Sequence, residues 1–599
     1  MTRYNCDIEY LNCDVDISKD ELNNIIVEAD KIISDINGEK EKCIEAYLKK
    51  VQCLQKLDKY TESKESIDKL LSLNPNMPEA LARLGNFYSV KGEYCSAIKF
   101  VTKAIKLKKE YAYAYYIRGN IYRNKDKCDK ALHDYSAAIR YNHNYMASYN
   151  NRGLTRYGSH DYQGAIEDYS KAIDIEPKNA RAYYNRGIAK YCLSHYLDAI
   201  KDYDNAIENN SQYTDAYYNR CFAYIKLEQY KNAADDLKNS GASLLDVLIA
   251  EGEEKTKRML DYNDFFKKAT EENKMSSNVD DYKDIYIKSL RIISKLHIND
   301  SDELNMLVSH YTKKNIAEKL LFDNNLSPKT VRDFFRLYSV NTSNDPEEGK
   351  TLFHYLFPKE IYSSMVEEFG AFAGCFILNS DSLNQFRLYG KTEDKEDATS
   401  VSISLNENFF NKNIHISVEM KSDQENRCVV NQPNSLPLFR CIYIDPETNK
   451  IISLGQREEY VFYREHKKKK DYKKYKSEID KIQKKISNEL KVLKRLVNNK
   501  ELNKDILYKL LLNLRYLIKH VAFKEEQECR IIRIIELNDS KNIKLDDNNH
   551  RFVEYLKLNE KNVSRICFAP NAKDINKFKQ HLAHNNYHIE CDRSKAPLA

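Results

Sequence analysis

The pattern of apolar and polar positions changes texture once along the chain. Between about Cys43 and Leu237 it repeats with a fixed period: Gly85, Gly119, Gly153 and Gly187 stand 34 residues apart, and Cys221 takes the next slot. Ala97, Ala131, Ala165, Ala199 and Ala233 recur at the same interval, twelve residues after each member of the first series. Small residues so placed let the backbones of two antiparallel helices approach closely, so each period predicts a helix pair. Upstream, AYLKKVQCLQKLDKYTESKESIDKLLSLNP aligns in the same register with Tyr60 under Tyr94, although Val51 and Ser63 replace the Gly and the Ala. It is a degenerate first copy, and six copies form an array over residues 43–240. In the preceding region, 1–42, Ser18 and Glu21 predict a capping box at the start of a helix. Beyond Leu237 the period stops, and residues 241–300 read as a capping helix followed by a polar linker. From about Asp302 short β-rich runs (AGCFIL, SVSISL, LFRCIYID, CRIIRIIEL, VSRICFAP) alternate with turns and helical stretches, which predicts an α+β domain over 301–599.

Five consecutive matches to this pattern resemble the tetratricopeptide repeat, so the expected fold is an α-solenoid, a tetratricopeptide superhelix, followed by an α+β domain. The resemblance implies a concave groove that holds a peptide or protein segment. Carrying the family's inward positions onto this chain puts Tyr113, Tyr116, Asn120, Arg123, Asn150, Tyr157, Arg181, Tyr184, Tyr191 and Tyr218 along it. Tyr offers a flat apolar body with a polar tip and Arg a forked donor for carboxylates, so the groove suits an extended or acidic segment. A structural spacer for the following domain is the competing reading. Asn151 and Arg152, Asn185 and Arg186, and Asn219 and Arg220 evoke the clamp that some members use for C-terminal carboxylates, but its lysines are out of register.

Composition sharpens this picture. The chain has 599 residues, with 45 Tyr and no Trp. Of the 24 Tyr between Met77 and Ser240, fourteen fall where the repeat wants an aromatic for packing, and six of the other ten lie in the predicted groove. The fourteen Cys include no C-x-x-C pair, which disfavours zinc fingers and points to reduced cytosolic thiols. The polar N-terminus lacks a signal-peptide pattern and no run is long enough to span a membrane, so a cytoplasmic location is expected.

Charge is balanced overall, at +6, but not locally. Between Val461 and Lys500 fifteen Lys or Arg face five Asp or Glu. Ile479, Ile482, Ile486, Leu490, Leu493 and Leu496 recur every three or four residues there, which predicts an amphipathic helical insertion with a basic outer face over 461–500. A solvated face is the default; nucleic acid or anionic lipid along 464–500 is the alternative.

Four segments of the last domain stand together: SHYTKKNIAEKLLFDNNL from Ser309, NDPEEG (Asn344 to Gly349), LNQFRLYGK (Leu383 to Lys391) and FKEEQECRIIRI (Phe523 to Ile534). In this order they resemble the bacterial domain-of-unknown-function family 2971, which often carries an N-terminal tetratricopeptide array. Phe386 stands where that family usually has Trp. His310 with Thr312 also resembles the H-x-T of ADP-ribosyltransferases, which implies NAD as co-substrate and no metal. On that resemblance His310, Tyr311, Thr312, Phe386, Arg387 and Tyr389 hold the cofactor. Glu526-Gln527-Glu528 then reads as E-x-E entering a strand, where alternation sets both carboxylates on one side. Glu528 would stabilise positive charge on the ribose as the nicotinamide bond breaks, and Glu526 would position the acceptor, with His310 completing the catalytic set. A toxin, effector or defence protein would suit such a layout. Two other readings remain open: a non-catalytic adaptor, with His310 a core histidine, and a metal-dependent hydrolase or nuclease using Asp345, Glu347, Glu526 and Glu528. No G-x-G-x-x-G, Walker loop, H-E-x-x-H or G-x-S-x-G appears.

Overall fold

The structure, a computed structural model, describes residues 18–34, 40–270 and 278–298, and then the segments 308–312, 334–339, 350–357, 369–378, 401–406, 409–410, 418–419, 438–445, 450–457, 469–498, 502–520, 527–536, 543–545, 551–557, 562–569, 575–584 and 589–594, with Ala317, Leu320, Thr448, Glu459, Ala522 and Ala572 between them. It divides into two units, Met1–Leu227 and Glu228–Ala599.

In the first unit, α1 (Lys19–Ser34) begins at the expected capping box. The Ser18 amide donates to Glu21 Oε2 at 3.0 Å and the Glu21 amide to Ser18 Oγ at 3.2 Å. Five helix pairs follow: α2 (Lys40–Lys56) with α3 (Tyr60–Leu73), α4 (Pro78–Val90) with α5 (Tyr94–Leu107), α6 (Ala112–Asn124) with α7 (Cys128–Tyr141), α8 (Met146–Gly158) with α9 (Tyr162–Ile175), and α10 (Ala180–Cys192) with α11 (Tyr196–Asn209). The last helix of the unit is α12 (Thr214–Lys226).

The glycine series has a steric cause. A Cβ on Gly119, Gly153 or Gly187 would lie 2.7, 2.8 or 2.7 Å from the ring of Tyr135, Tyr169 or Tyr203, each buried on the second helix of the same pair. An ion pair recurs beside this contact. Arg118, Arg152 and Arg186 each grip the carboxylate sixteen residues ahead, with closest contacts of 2.7 Å to Asp134, 2.6 Å to Asp168 and 2.7 Å to Asp202. The turn between paired helices repeats too: Asp58, Gly92, Asp126, His160 and Ser194 adopt positive φ of 59°, 77°, 54°, 63° and 63°.

The second unit opens with α13 (Tyr230–Ser240), α14 (Leu244–Glu251), α15 (Glu253–Leu260), α16 (Asp264–Thr270) and α17 (Val279–Leu296). Where a polar linker was expected, α17 buries Tyr282, Ile285, Tyr286, Ile292 and Ile293. Its charged residues alternate with apolar ones at helical spacing and so mask a core helix. Beyond it lie two sheets. The larger has eleven strands in the order β11 (Lys544–Leu545), β12 (Arg551–Lys557), β2 (Phe334–Ser339), β3 (Phe369–Ile377), β1 (Val308–Thr312), β4 (Val401–Leu405), β13 (Val563–Phe568) and β14 (Glu590–Arg593). Strand β10 (Glu528–Glu536) pairs with β3 along its whole length and also meets β5 (Val418–Glu419) and β6 (Phe439–Arg440). The smaller sheet runs β8 (Lys450–Leu454), β7 (Ile442–Asp445), β9 (Ile518–His520). One continuous segment, Phe439 to Asp445, therefore passes from β10 in the large sheet to β8 and β9 in the small one.

Helices α18 (Thr351–Leu356), α19 (Lys469–Asn498), α20 (Lys504–Leu510), α21 (Leu512–Arg515) and α22 (Ile575–His584) complete the described elements. The basic run is the 30-residue α19, which buries Tyr475, Ile479, Ile486, Leu490, Leu493 and Val497. Ile482 and Leu496, expected on that face, are only half-buried. Glu489 docks α19 on α17 through Lys288, Lys295 and Arg291, at 3.1, 3.3 and 3.5 Å. Burial opposes its charge, but these cations prevail and hold the carboxyl below its ordinary pKa.

Candidate functional site

In the array, side chains of successive first helices reach each other along one seam. Asn151 Nδ2 donates to Asn120 Oδ1 at 2.9 Å and to the Tyr116 hydroxyl at 3.2 Å. Asn185 Nδ2 donates to Asn150 Oδ1 at 3.1 Å, and Asn219 Nδ2 to the Tyr184 hydroxyl at 2.8 Å. The Tyr157 hydroxyl meets Cys192 Sγ at 3.7 Å. These links join each repeat to the next.

The assigned residues differ in exposure. Tyr116, Asn120, Arg123, Tyr157, Tyr184, Tyr191 and Tyr218 are half-buried and Arg181 is exposed. Tyr113 and Asn150 are corrections, because both are buried. The Tyr113 ring lies 4.1 Å under the Arg83 guanidinium, which also donates to its hydroxyl at 2.8 Å, so this tyrosine is a packing residue. Asn150 spends its carbonyl on Asn185. Arg152 and Arg186, in the segments that evoke a carboxylate clamp, are committed to Asp168 and Asp202 and have no fork to offer.

Three tyrosines that sequence reasoning left without a role back this surface. Tyr111, Tyr145 and Tyr213 each precede a first helix, and their rings lie 6.0, 5.1 and 4.8 Å from those of Tyr113, Tyr116 and Tyr184. The signal was present, since they share the array's register. Between Tyr111 and Tyr213 it is broken only at Asn179, which instead caps α10 by accepting from the Ala182 amide at 2.9 Å. Burial pushes the Tyr157 and Tyr213 hydroxyls up to about 12, so both stay protonated donors in neutral solution.

In the second unit, the strand register decides where the catalytic candidates point. Ser309 on β1 stands opposite Ile377 on β3, and Ile377 stands opposite Glu528 on β10. Residues aligned across neighbouring strands share a face, so Ser309 and Tyr311 lie on the face of Glu528 and His310 lies on the other. The His310 ring packs 5.9 Å from Phe376, and its Nδ1 is 3.1 Å from the Cys375 carbonyl oxygen. Burial lowers its pKa against that hydrogen bond, so the imidazole is neutral at pH 7. The structure thus does not bring His310 and Glu528 together.

Glu528 is 5% exposed. Its carboxylate accepts from Arg530 Nε at 2.7 Å and from Lys519 Nζ on β9 at 2.8 Å, and its amide donates to the Tyr443 hydroxyl on β7 at 2.8 Å. Burial works to raise its pKa, but the Arg530 guanidinium and the Lys519 ammonium outweigh it and hold the carboxyl far below the usual range. A buried carboxylate between two cations is spent on joining the sheets. The expected E-x-E alternation also fails at its middle residue: Gln527 has φ 48°, and the strand begins only at Glu528. Tyr311 is buried at 3% exposure. Glu526, Phe386, Arg387, Tyr389, Asp345 and Glu347 lie outside the described residues, as does the side chain of Thr312. Among the described residues no cluster of His, Cys, Asp and Glu could hold a metal ion, and no helix is long and apolar enough to cross a membrane.

Comparison with known proteins bears on the array. Residues 160–194 match the family model described as TPR repeat, and residues 44–77 the one described as tetratricopeptide repeat. No curated protein matches the chain. Among solved structures, the chain is similar to MamA (28% identity over 27% of this chain and 94% of that one, TM-score 0.24). It is also similar to PilF of Pseudomonas aeruginosa (15% identity, 35% and 93%, TM-score 0.31). A third is the first TPR of Spaghetti (RPAP3) bound to the HSP90 peptide SRMEEVD (26% identity, 20% and 93%, TM-score 0.19). The two family models show that the chain carries tetratricopeptide repeats at residues 44–77 and 160–194. They are followed by an α+β unit.

Proposed function

We propose that this chain is a protein-binding scaffold whose array captures an extended protein segment along the seam of its first helices. The observation that carries this reading is the contrast between two sets of tyrosines. Tyr135, Tyr169 and Tyr203 are fully buried keys for the glycine notches, whereas Tyr116, Tyr157, Tyr184, Tyr191 and Tyr218 remain half-exposed in a row across four repeats. Rigid, amphipathic rings fixed by hydrogen bonds suit capture of a segment at small entropic cost.

For the second unit, an NAD-dependent ADP-ribosyltransferase would need His310 and Glu528 in one pocket. Their opposite faces and the two cations on Glu528 support binding without turnover instead, and the unit is read as a non-catalytic adaptor. The array reading is tested by selecting displayed random dodecapeptides on the immobilised full chain. Selected peptides should bind Tyr184→Ala at least about tenfold more weakly, with helical circular dichroism unchanged. Equal binding by both proteins would make the tyrosine a packing residue and the array a spacer.

A further inference from the structure

Two groups of arginines stand out in the array. Arg118, Arg152, Arg156 and Arg186 are tied to buried aspartates: Arg118 to Asp134, Arg152 and Arg156 to Asp168, and Arg186 to Asp202. Arg123 at the end of α6 and Arg181 at the start of α10 are different. Among the described residues neither has an ion-pair partner, and both are among the residues assigned to the groove, one half-buried and the other exposed. The seam positions between them, Asn150 and Tyr157 on α8, are uncharged. Both guanidiniums also bear electrostatically on one hydroxyl, that of Tyr169, whose ring fills the notch at Gly153 in the intervening repeat; burial, Asp168 and Tyr157 act on that hydroxyl in the opposite sense. Two uncommitted cations therefore flank the repeat formed by α8 and α9, one from the repeat on either side of it.

An arginine fork left without a carboxylate, on a surface that also leaves tyrosine rings half-exposed, is a docking point for one. The exposed Asp215 at the start of α12 acts on Tyr184 and Tyr213, and Arg181 opposes it at Tyr213. We infer that the segment captured by the array is acidic, with carboxylates seated on Arg123 and Arg181 and intervening residues lying over Tyr157 and Tyr184. The inference rests on the groove reading above and adds to it the chemistry of the partner.

The test uses the dodecapeptides selected on the full chain. Those that depend on Tyr184 should be enriched in Asp and Glu over the starting library. Replacing their acids by Asn and Gln should weaken binding at least about tenfold, as should Arg123→Gln with Arg181→Gln in the protein, and added salt should weaken the acidic peptides alone. Peptides with free and amidated C-termini separate side-chain carboxylates from a terminal one. Tyr184-dependent peptides without acid enrichment, or acidic peptides bound equally by the double variant, would overturn the inference and leave the groove reading intact. If no peptide depends on Tyr184, the groove reading itself falls, and this inference with it.

Discussion

Glu528 shows how environment decides what a carboxylate does. In sequence it is the last residue of an E-x-E and so a candidate for stabilising an oxocarbenium ion; in the fold its two oxygens are occupied by Arg530 and Lys519. Removing one partner of a buried ion set leaves the others uncompensated, so Glu528→Gln should destabilise the second unit by about 3–5 kcal/mol, measured by urea unfolding at neutral pH. The sign with pH follows from the depressed pKa. The carboxylate's contribution is complete above the ordinary value of 4.5 and is lost as pH falls below it toward the folded-state value. Wild type should therefore lose its advantage over Glu528→Gln progressively below that pH. A constant difference between the two proteins throughout the acid range would show that the pair contributes no charge-dependent stability.

At the scale of elements, the repeat was legible because its constraint is local. A backbone can approach another closely only across a small residue, and the side chain that fills each glycine notch, Val101 at Gly85 and a tyrosine at Gly119, Gly153 and Gly187, is sixteen residues ahead. The Arg–Asp pairs obey the same offset and were equally readable, but charged residues on helices resemble a solvated face until partners are seen. The turns between paired helices were invisible for a different reason: five share the left-handed conformation, yet only Gly92 announces it. Left-handed backbone costs a side-chain-bearing residue about 1–2 kcal/mol, and Gly escapes that cost. Ser194→Gly should thus raise the array's melting temperature and Gly92→Ala lower it, each by a few degrees, corresponding to about 1 kcal/mol. Opposite shifts would mean that chain entropy, rather than turn strain, controls these positions. In the second unit one residue misled the reading. Gln527 takes the left-handed conformation just before β10, and a single such residue cancels any face argument drawn through it. His310 went astray by the reverse route, since strand alternation holds across β1, β3 and β10 and sets it away from Glu528.

For the molecule as a whole, the decisive question is turnover. The full chain incubated with NAD and cell lysate should give neither nicotinamide release nor added ADP-ribose by mass spectrometry, and Glu528→Gln should behave identically. Release by wild type that disappears in the variant would restore the transferase. On the scaffold reading proposed above, selectivity lies in spacing, and the repeat length becomes a ruler. Arg123 and Arg181 sit two repeats apart because exactly one tetratricopeptide unit, α8 with α9, intervenes. Since every notch and its key belong to the same unit, a further copy of 34 residues spliced in after α9 would fold without disturbing its neighbours. It would, however, move the two cations out of each other's reach, so the array would keep its stability and its tyrosines while measuring a different, longer distance between acids.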